Sequence, residues 1–248
     1  MIDARLLLAL DGDGVELPSE GIIAVFQPPL DADLPGLDKD RVQIIQAFKP
    51  DYDAWAARGY DVVRNVKDRY AACIVCLPRA KNEARALIAD ACEVCDGIVV
   101  IDGQKTDGVD SILREMRTRV TVRGPISKAH GKMFWISEPA AEFFADWKQG
   151  PSLTDGGFWT APGVFSADGV DLASALLVDA LPENLGSEVA DLGAGWGFLS
   201  AHALTRESIK KIYLIEAGHM ALECARRNVT DERAEFLWED ATNWEPPH

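Results

Sequence analysis

The sequence lacks any apolar run near the ~18 residues that a membrane-spanning helix requires. Its first apolar run, Leu6 to Leu10, follows Asp3 and leads into an acidic glycine turn, which is unlike a secretory signal. The cysteines number five, an odd count that is more typical of reduced thiols than of a disulfide framework. We therefore expect a cytoplasmic protein without a membrane anchor.

Basic charge is also scarce. The chain has 25 Lys and Arg against 40 Asp and Glu, a net charge of −15, which is the opposite of a typical nucleic-acid binder. The region from Arg64 to Lys132 differs, because there 13 basic residues face 9 acidic ones. The later part of this region, from Arg114 to Lys132, predicts either a phosphate-facing surface or a solvated helix face followed by a strand. Only Glu115 opposes the basic residues there, which are Arg114, Arg117, Arg119, Arg123, Lys128 and Lys132.

Metal-ligand patterns are weak. Histidine is rare, and its four occurrences show no spacing typical of a base or a ligand. The pairs Cys73/Cys76 and Cys92/Cys95 are 15 residues apart, which formally fits a four-cysteine zinc site. However, the first pair lies inside an apolar run, and residues three apart on a strand point to opposite faces. We therefore expect no metal.

The first part of the chain alternates strand and helix signals. Short apolar runs bounded by Gly, Pro and Asp, and longer runs with helical spacing, predict a doubly wound α/β sheet over residues 1–148. The predicted strands are Leu6–Leu10, Gly21–Phe26, Val42–Phe48, Tyr70–Leu77, Gly97–Ile101, Val120–Val122 and Lys132–Ile136. The predicted helices are Lys81–Cys95, Val109–Met116 and Ala140–Trp147, with a polar turn over Asp102–Gly108.

The second part, residues 149–248, starts with a Gly- and Pro-rich stretch that still holds Phe158, Trp159 and Phe165, more aromatic residues than a linker needs. Three strands that alternate with helices then predict the first half of a second doubly wound sheet. The predicted strands are Glu188–Leu192, Lys211–Ile215 and Ala234–Trp238, and the helices are Val170–Leu181, Phe198–Leu204 and Met220–Val229.

A glycine turn connects the first of these strands to its helix. After Leu192 the sequence is GAGWG, and such glycines let a ligand approach the backbone near unpaired N–H groups of a helix N-terminus. Glu216, at the C-terminal end of the second strand and 21 residues beyond Gly195, is placed to accept hydrogen bonds from two ribose hydroxyls. Asp240, which we expect to end the third strand, is placed to accept one from an adenine amine. Phe198 stands where a dinucleotide site needs a third glycine, which favours S-adenosylmethionine over NAD.

Other stretches resemble a known family. PGVFSADGVD at 162–171, with the glycine turn, is similar to bacterial ribosomal RNA guanine-N2 methyltransferases of the RsmC type, as are CLPRAKNEA at 76–84 and GQKTDGVDS at 103–111. The resemblance implies two tandem Rossmann-like methyltransferase folds, the first a degenerate copy without a cofactor site that assists folding and RNA binding. It implies an S-adenosylmethionine site at Phe165, Ser166, Asp191, Gly193, Ala194, Gly195, Gly197, Glu216, Ala217, Asp240 and Ala241.

Two of the aromatic residues allow a structural interpretation as well. Phe165 is expected beside the cofactor or as a hydrophobic latch between domains. Trp196, inside the turn, borders the methionine moiety or anchors the core.

The resemblance also implies a catalytic motif, Asn-Pro-Pro-Phe/Tyr, at the end of a fourth strand. In this sequence Asn243 follows the third strand directly and is split from its prolines. We therefore expect a C-terminally truncated, inactive piece of an enzyme that methylates guanine N2 of ribosomal RNA, free or within a ribosomal subunit, with catalytic residues beyond His248. The alternatives are a non-catalytic RNA-binding module and, favoured by the acidic charge, a methyltransferase for a small molecule or protein.

Overall fold

The computed structural model describes residues 2–12, 14–139 and 141–247. Met1, Asp13, Ala140 and His248 lie outside the described residues, and with them the first position of the predicted helix Ala140–Trp147 and the last residue of the chain. The chain divides into two compact units. The first contains the chain up to Gln46 and Asp51–Gln149, and the second contains Ala47–Pro50 and Gly150–His248.

The first unit is built on a seven-stranded sheet. Strands β1 to β5 are parallel, and β7 runs antiparallel between β5 and β6, giving the order β3-β2-β1-β4-β5-β7-β6. The strands are β1 Ile23–Phe26, β2 Val42–Ile45, β3 Asp61–Val63, β4 Tyr70–Cys76, β5 Cys95–Gln104, β6 Arg123–Lys128 and β7 Gly131–Ile136. The prediction of a mostly parallel α/β sheet is confirmed.

Helices cover both faces of this sheet. On one face, Ile88 and Met116 of two helices pack in an apolar cluster with alternate residues of the central strands. On the other face, Leu6 and Trp55 do the same. Residues of β4 alternate between the two clusters, as a buried parallel strand requires. The helices are α1 Ile2–Leu10, α2 Lys49–Ala57, α3 Lys81–Val94 and α4 Val109–Arg117.

Some predicted elements of the first unit are wrong. Leu6–Leu10 belongs to α1 rather than to a strand, because Ile2, Leu6 and Ala9 share one buried helix face. The strand predicted over Val42–Phe48 stops at Ile45, and α2 was missed. Pro50 suits the first turn of α2, where its missing N–H is not needed.

Two further differences lie on either side of α4. The predicted strand Val120–Val122 is irregular, since the N–H of Val120 donates to Met116 at the end of α4. The predicted turn Asp102–Gly108 begins late, because β5 continues to Gln104. The helix predicted over Ala140–Trp147 is present over Ala141–Trp147, as a 3₁₀ helix.

The second unit has a three-stranded parallel sheet in the order β10-β11-β12. Its strands and helices agree with the predicted ones to within two residues at each end. The predicted elements are α5 Leu172–Ala180, β10 Glu188–Leu192, α6 Phe198–Ala203, β11 Lys211–Glu216, α7 His219–Asn228 and β12 Ala234–Trp238. A short hairpin of β8 Ser152–Leu153 and β9 Trp159–Thr160 precedes them and was not predicted.

One edge of this second sheet is open. Among the described residues β10 pairs only with β11, and the Leu192 side chain at its end is 58% exposed. Helix α5 has no buried residue although it is apolar, and Leu172 is 75% exposed. No helix in the described ranges has both the length and the apolar character needed to cross a membrane.

Candidate cofactor site

The glycine turn between β10 and α6 depends on backbone conformations that favour glycine. Gly193, Gly195 and Gly197 have φ of +76°, +56° and +86°. Gly197 also packs closely, since an added Cβ would lie 3.0 Å from Cγ2 of Val229 and 3.3 Å from Cβ of Ala225. The turn therefore brings α6 against α7 as well as reversing the chain.

Backbone hydrogen bonds hold the turn against β11. The N–H groups of Gly193 and Ala194 donate to the carbonyl of Ile215 at 2.9 and 3.1 Å. The N–H of Gly195 donates to Oε2 of Glu216 at 2.8 Å. The predicted residues of the glycine turn and Glu216 are thus brought together at the carboxyl ends of two adjacent strands.

Glu216 holds a second loop with its other oxygen. The N–H of Gly218, just before α7, donates to Oε1 at 2.6 Å. Each carboxylate oxygen accepts more than one hydrogen bond. The side chain is therefore fixed in place by backbone and keeps acceptor capacity for hydroxyl groups. Ala217, between these residues, accepts from Nε1 of Trp238 at 2.8 Å through its carbonyl.

Asp191 lies within β10 and connects the strand to α6. The hydroxyl of Ser200, which is fully buried, donates to Oδ2 of Asp191 at 2.6 Å. Burial raises the pKa of the Asp191 carboxyl, and the hydrogen bond from Ser200 opposes that rise. The described contact gives Asp191 a part in shaping the turn.

Asp240 lies two residues beyond β12, so the prediction that it ends the strand is wrong. Its Oδ1 accepts from the N–H and hydroxyl of Thr242 at 2.9 and 2.7 Å, and its Oδ2 from Asn243 at 2.8 Å. The hydroxyl of Thr242 is the largest cause that lowers the pKa of Asp240. These bonds order its own loop, which also holds the half-buried Ala241. Roles for both residues toward adenine stay predictions.

The segment before α5, residues 162–171, contacts the glycine turn through its backbone. Nε1 of Trp196 donates to the carbonyl of Phe165 at 3.0 Å, while the Phe165 ring is 70% exposed. Ser166 adopts a φ of +53°, unusual for a residue with a side chain. The two interpretations of Phe165, cofactor contact and latch, stay predictions.

Trp196 itself is buried, with 5% exposure. Its ring lies 5.0 Å from that of Phe158 and 5.5 Å from that of Phe198, centroid to centroid, in tilted and edge-on arrangements. The structure favours the interpretation of Trp196 as a core anchor. A contact with the methionine moiety stays a prediction.

Asn228, the last residue of α7, was not singled out from the sequence. Its Nδ2 donates to the carbonyls of Trp159 and Trp196 at 2.8 and 2.7 Å, and its Oδ1 accepts from the N–H of Trp159 at 2.7 Å. The available sequence signal is weak, namely a polar residue one helical turn after the buried Cys224 and next to Val229.

The four cysteines of the first unit are not arranged around one point. Cys73, Cys92 and Cys95 belong to the apolar cluster on one face of the sheet, and Cys76 to that on the other. Burial raises the pKa of Cys92 to about 12, which keeps the thiol protonated. Within the described residues no group of three or more His, Cys, Asp or Glu side chains is arranged to hold a metal.

The basic stretch of the first unit is partly neutralised. Arg119 pairs with Asp146, with 2.8 Å between Nη2 and Oδ2, and Lys132 pairs with Asp110 at 2.5 Å. The other four residues, Arg114, Arg117, Arg123 and Lys128, are exposed. The prediction of a phosphate-facing surface therefore rests on these four.

Comparison with known proteins assigns a class to the second unit. Residues 155–246 match the methyltransferase small domain family. The chain is 35% identical over 88 residues to ribosomal RNA large subunit methyltransferase G of Shewanella amazonensis, a match that covers 34% of this chain and 23% of that protein. It is 29% identical over 157 residues to ribosomal RNA small subunit methyltransferase C of Serratia proteamaculans, covering 60% and 44%.

A solved structure is similar over more of the chain. The 16S rRNA N2 methyltransferase RsmC of T. thermophilus, in complex with AdoMet and guanosine, superposes with a TM-score of 0.67 at 18% identity, covering 90% of this chain and 66% of that one. The fold is thus a Rossmann-like methyltransferase fold with a mostly parallel central sheet.

The match to the methyltransferase small domain family falls entirely within the second unit. The resemblance of the chain to RsmC-like ribosomal RNA methyltransferases is confirmed. The chain spans less than half the length of the two curated relatives described above.

Proposed function

We propose that this chain belongs to an S-adenosylmethionine-dependent methyltransferase that acts on guanine N2 of ribosomal RNA, and that its second unit binds the cofactor. The observation that carries the proposal is the double hydrogen bond of Glu216 to Gly195 and Gly218. It fixes a carboxylate beside a glycine turn at the carboxyl ends of parallel strands, where nucleotide ligands of open α/β sheets bind. Two relatives are named as ribosomal RNA methyltransferases.

The residues present suit S-adenosylmethionine. Glu216 has acceptor capacity left for ribose hydroxyls. A Cβ added at Gly193 or Gly195 would meet no atom within 4 Å, so a ligand has room to approach the backbone of the turn there. The cofactor supplies an electrophilic methyl group on a sulfonium. The chain supplies orientation, which accounts for a large part of the rate of such in-line transfers.

The first unit has a separate role in this proposal, as a degenerate methyltransferase-like domain, residues 1–148, that assists folding and RNA binding. Strand β1 corresponds in position to β10 of the second unit. On one side of β1 lie the parallel strands β2 and β3, as β11 and β12 lie on one side of β10. After β1 the chain continues as Gln27-Pro28-Pro29 instead of a glycine turn. Prolines offer no N–H to a ligand, which supports the loss of a cofactor site.

RNA contact is assigned to the four exposed basic residues of the stretch from 114 to 132, namely Arg114, Arg117, Arg123 and Lys128. Phosphate groups attract such side chains even in a protein of negative net charge, since the interaction is local and screened over about 10 Å at 0.1 M salt. A cytoplasmic location, where ribosomal RNA is found, belongs to the same proposal. Contact with an assembled ribosomal subunit is left to the test below.

The part of the site that binds the methyl acceptor, the target guanine, is proposed to lie on strands next to β10. In the first sheet β1 is paired on both sides, by β2 and β4, and all four of its residues are buried. In the second sheet β10 is paired on one side, and Leu192 and the apolar face of α5 are exposed. In this proposal a parallel strand beside β10 covers the exposed edge and carries the residues that bind the target guanine.

The test is transfer of labelled methyl groups to unmodified ribosomal RNA and ribosomal subunits, by the 248-residue chain and by the complete product of its gene. We expect the complete product to form N2-methylguanosine and the chain to form none although it binds the cofactor. Methylation of a protein or small molecule, with none in RNA, would overturn the RNA assignment. Comparable RNA methylation by the chain would place the acceptor residues within it.

A further inference from the structure

The Asn228 amide connects two segments that are far apart in sequence. Both its donor and its acceptor groups are engaged, with the carbonyls of Trp159 and Trp196 and the N–H of Trp159. Trp196 is inside the glycine turn, and Trp159 is in β9, 69 residues before Asn228. The Asn228 side chain thus joins the glycine turn to β9. The segment that contains Phe165 and Ser166 follows directly after β9.

That stretch returns to the same turn at its other end. The indole of Trp196 donates to the carbonyl of Phe165, and the hydroxyl of Thr160 donates to the carbonyl of Ala167 at 2.7 Å. Residues 159–167 therefore form a closed loop, which we call the aromatic loop. It is fastened to the turn at Trp159 through Asn228 and at Phe165 through Trp196.

The surroundings of the Asn228 amide are apolar. Trp196, Ala161 and Cys224 form a buried cluster, with Phe158 and Phe198 packed against it. Loss of the amide would leave carbonyl groups without a donor at the edge of this cluster, a larger penalty than in water. The end of α7 also presses on the turn directly, through the contact of Val229 with Gly197.

We propose that Asn228 is a positioning residue for the cofactor: it sets the aromatic loop against the glycine turn so that Phe165 and Ser166 face the ligand held by Glu216. The inference rests on the proposed function for the existence of that ligand. It assigns to Asn228 no contact with the cofactor and no chemical step.

The test compares Asn228→Asp, which has nearly the same shape but lacks both donors, with Asp231→Asn as a matched control. Asp231 lies three residues further on and binds Arg233, just before β12 and away from the turn. Two quantities are measured on the folded chain: calorimetric affinity for S-adenosylmethionine, and the position of the Trp196 indole N–H resonance, assigned with Trp196→Phe.

We expect Asn228→Asp to weaken binding by about tenfold or more and to shift the Trp196 indole resonance. Asp231→Asn, which weakens an ion pair at the surface, should leave affinity within about twofold. A folded Asn228→Asp that binds as wild type does, or an equal loss in both variants, would overturn the inference. If Asn228→Asp does not fold, Trp196→Phe takes its place, because it releases the other end of the aromatic loop.

A failure of the proposed function gives a different result. Wild-type protein and Glu216→Ala would then both fail to bind S-adenosylmethionine. In that case hydrogen exchange of the ligand-free chain tests whether Asn228 anchors the aromatic loop. Faster exchange at the N–H of Trp159 and through the aromatic loop in Asn228→Asp supports the anchoring, and unchanged exchange contradicts it.

Discussion

The carboxylate of Glu216 accepts the N–H of Gly195 at 2.8 Å and thereby joins the loops that follow two neighbouring parallel strands. The same carboxylate accepts the N–H of Gly218 at 2.6 Å. One side chain thus serves two purposes: it shapes the glycine turn before a ligand arrives, and it presents a negative charge to whatever the turn binds.

Glu216→Ala should lower the affinity for S-adenosylmethionine. Loss of a charged acceptor of hydrogen bonds corresponds to about 1.5 to 3 kcal/mol, or roughly 10- to 150-fold in the dissociation constant. Calorimetric titration measures this. Glu235→Ala on β12, which removes an exposed carboxylate paired with Lys211, is the control and should bind as wild type. Unchanged affinity in Glu216→Ala would remove Glu216 from the site.

Gly197→Ala should destabilise the second unit more than Gly193→Ala. Both glycines have positive φ, which costs an alanine about 1 to 2 kcal/mol. Only Gly197 also meets Val229 and Ala225, and such overpacking adds roughly 1 to 3 kcal/mol. Urea unfolding of the two variants gives the comparison. Equal losses would show that the close approach of α6 to α7 is not a constraint.

Asp102→Asn should strongly destabilise the first unit. Asp102 is buried and accepts two hydrogen bonds from the buried Arg5, 97 residues away in sequence, so its neutralisation leaves the guanidinium charge without its counter-ion. Breaking such a pair costs about 3 to 5 kcal/mol. The exposed pair of Asp33 with Arg58 is the matched control, and Asp33→Asn should cost at most about 1 kcal/mol.

Unfolding in urea, followed by circular dichroism, distinguishes the two variants. A double replacement of Arg5 and Asp102 by apolar residues should recover much of the lost stability, since it removes both buried charges. If Asp102→Asn costs no more than Asp33→Asn, the buried pair has no special role in the first unit.

The purified chain should contain no stoichiometric zinc. Cys76 lies on the face of the sheet opposite Cys73, Cys92 and Cys95, so one tetrahedral ion cannot reach all four sulfurs without breaking β4. Elemental analysis of protein prepared without chelators provides the check. About one zinc per chain would contradict the described arrangement.

The sequence was most informative where a motif and a periodic pattern coincide. Strand β10 was predicted with its observed bounds, and Glu216 was placed at the end of β11, because a buried strand followed by glycines and a helix has few alternative structures. Helix α1 was misassigned, since its short apolar run has no period long enough to separate strand from helix.

What the sequence did not predict depends on contacts between distant residues. The amide of Asn228 acquires its role only when β9 and the glycine turn meet at the end of α7. Arg5 resembles any charged residue of a short helix until folding brings it to Asp102. The exposure of Phe165, likewise, is set by the fold around it rather than by its motif.

The most direct test of the central claim is calorimetric titration of the 248-residue chain with S-adenosylmethionine, with NAD as the comparison ligand. Because Glu216 is fixed beside a turn in which Phe198 replaces the third glycine of a dinucleotide site, we predict saturable binding of one S-adenosylmethionine per chain and no detectable heat with NAD. Absence of saturable S-adenosylmethionine binding, or equal affinity for NAD, would contradict the account.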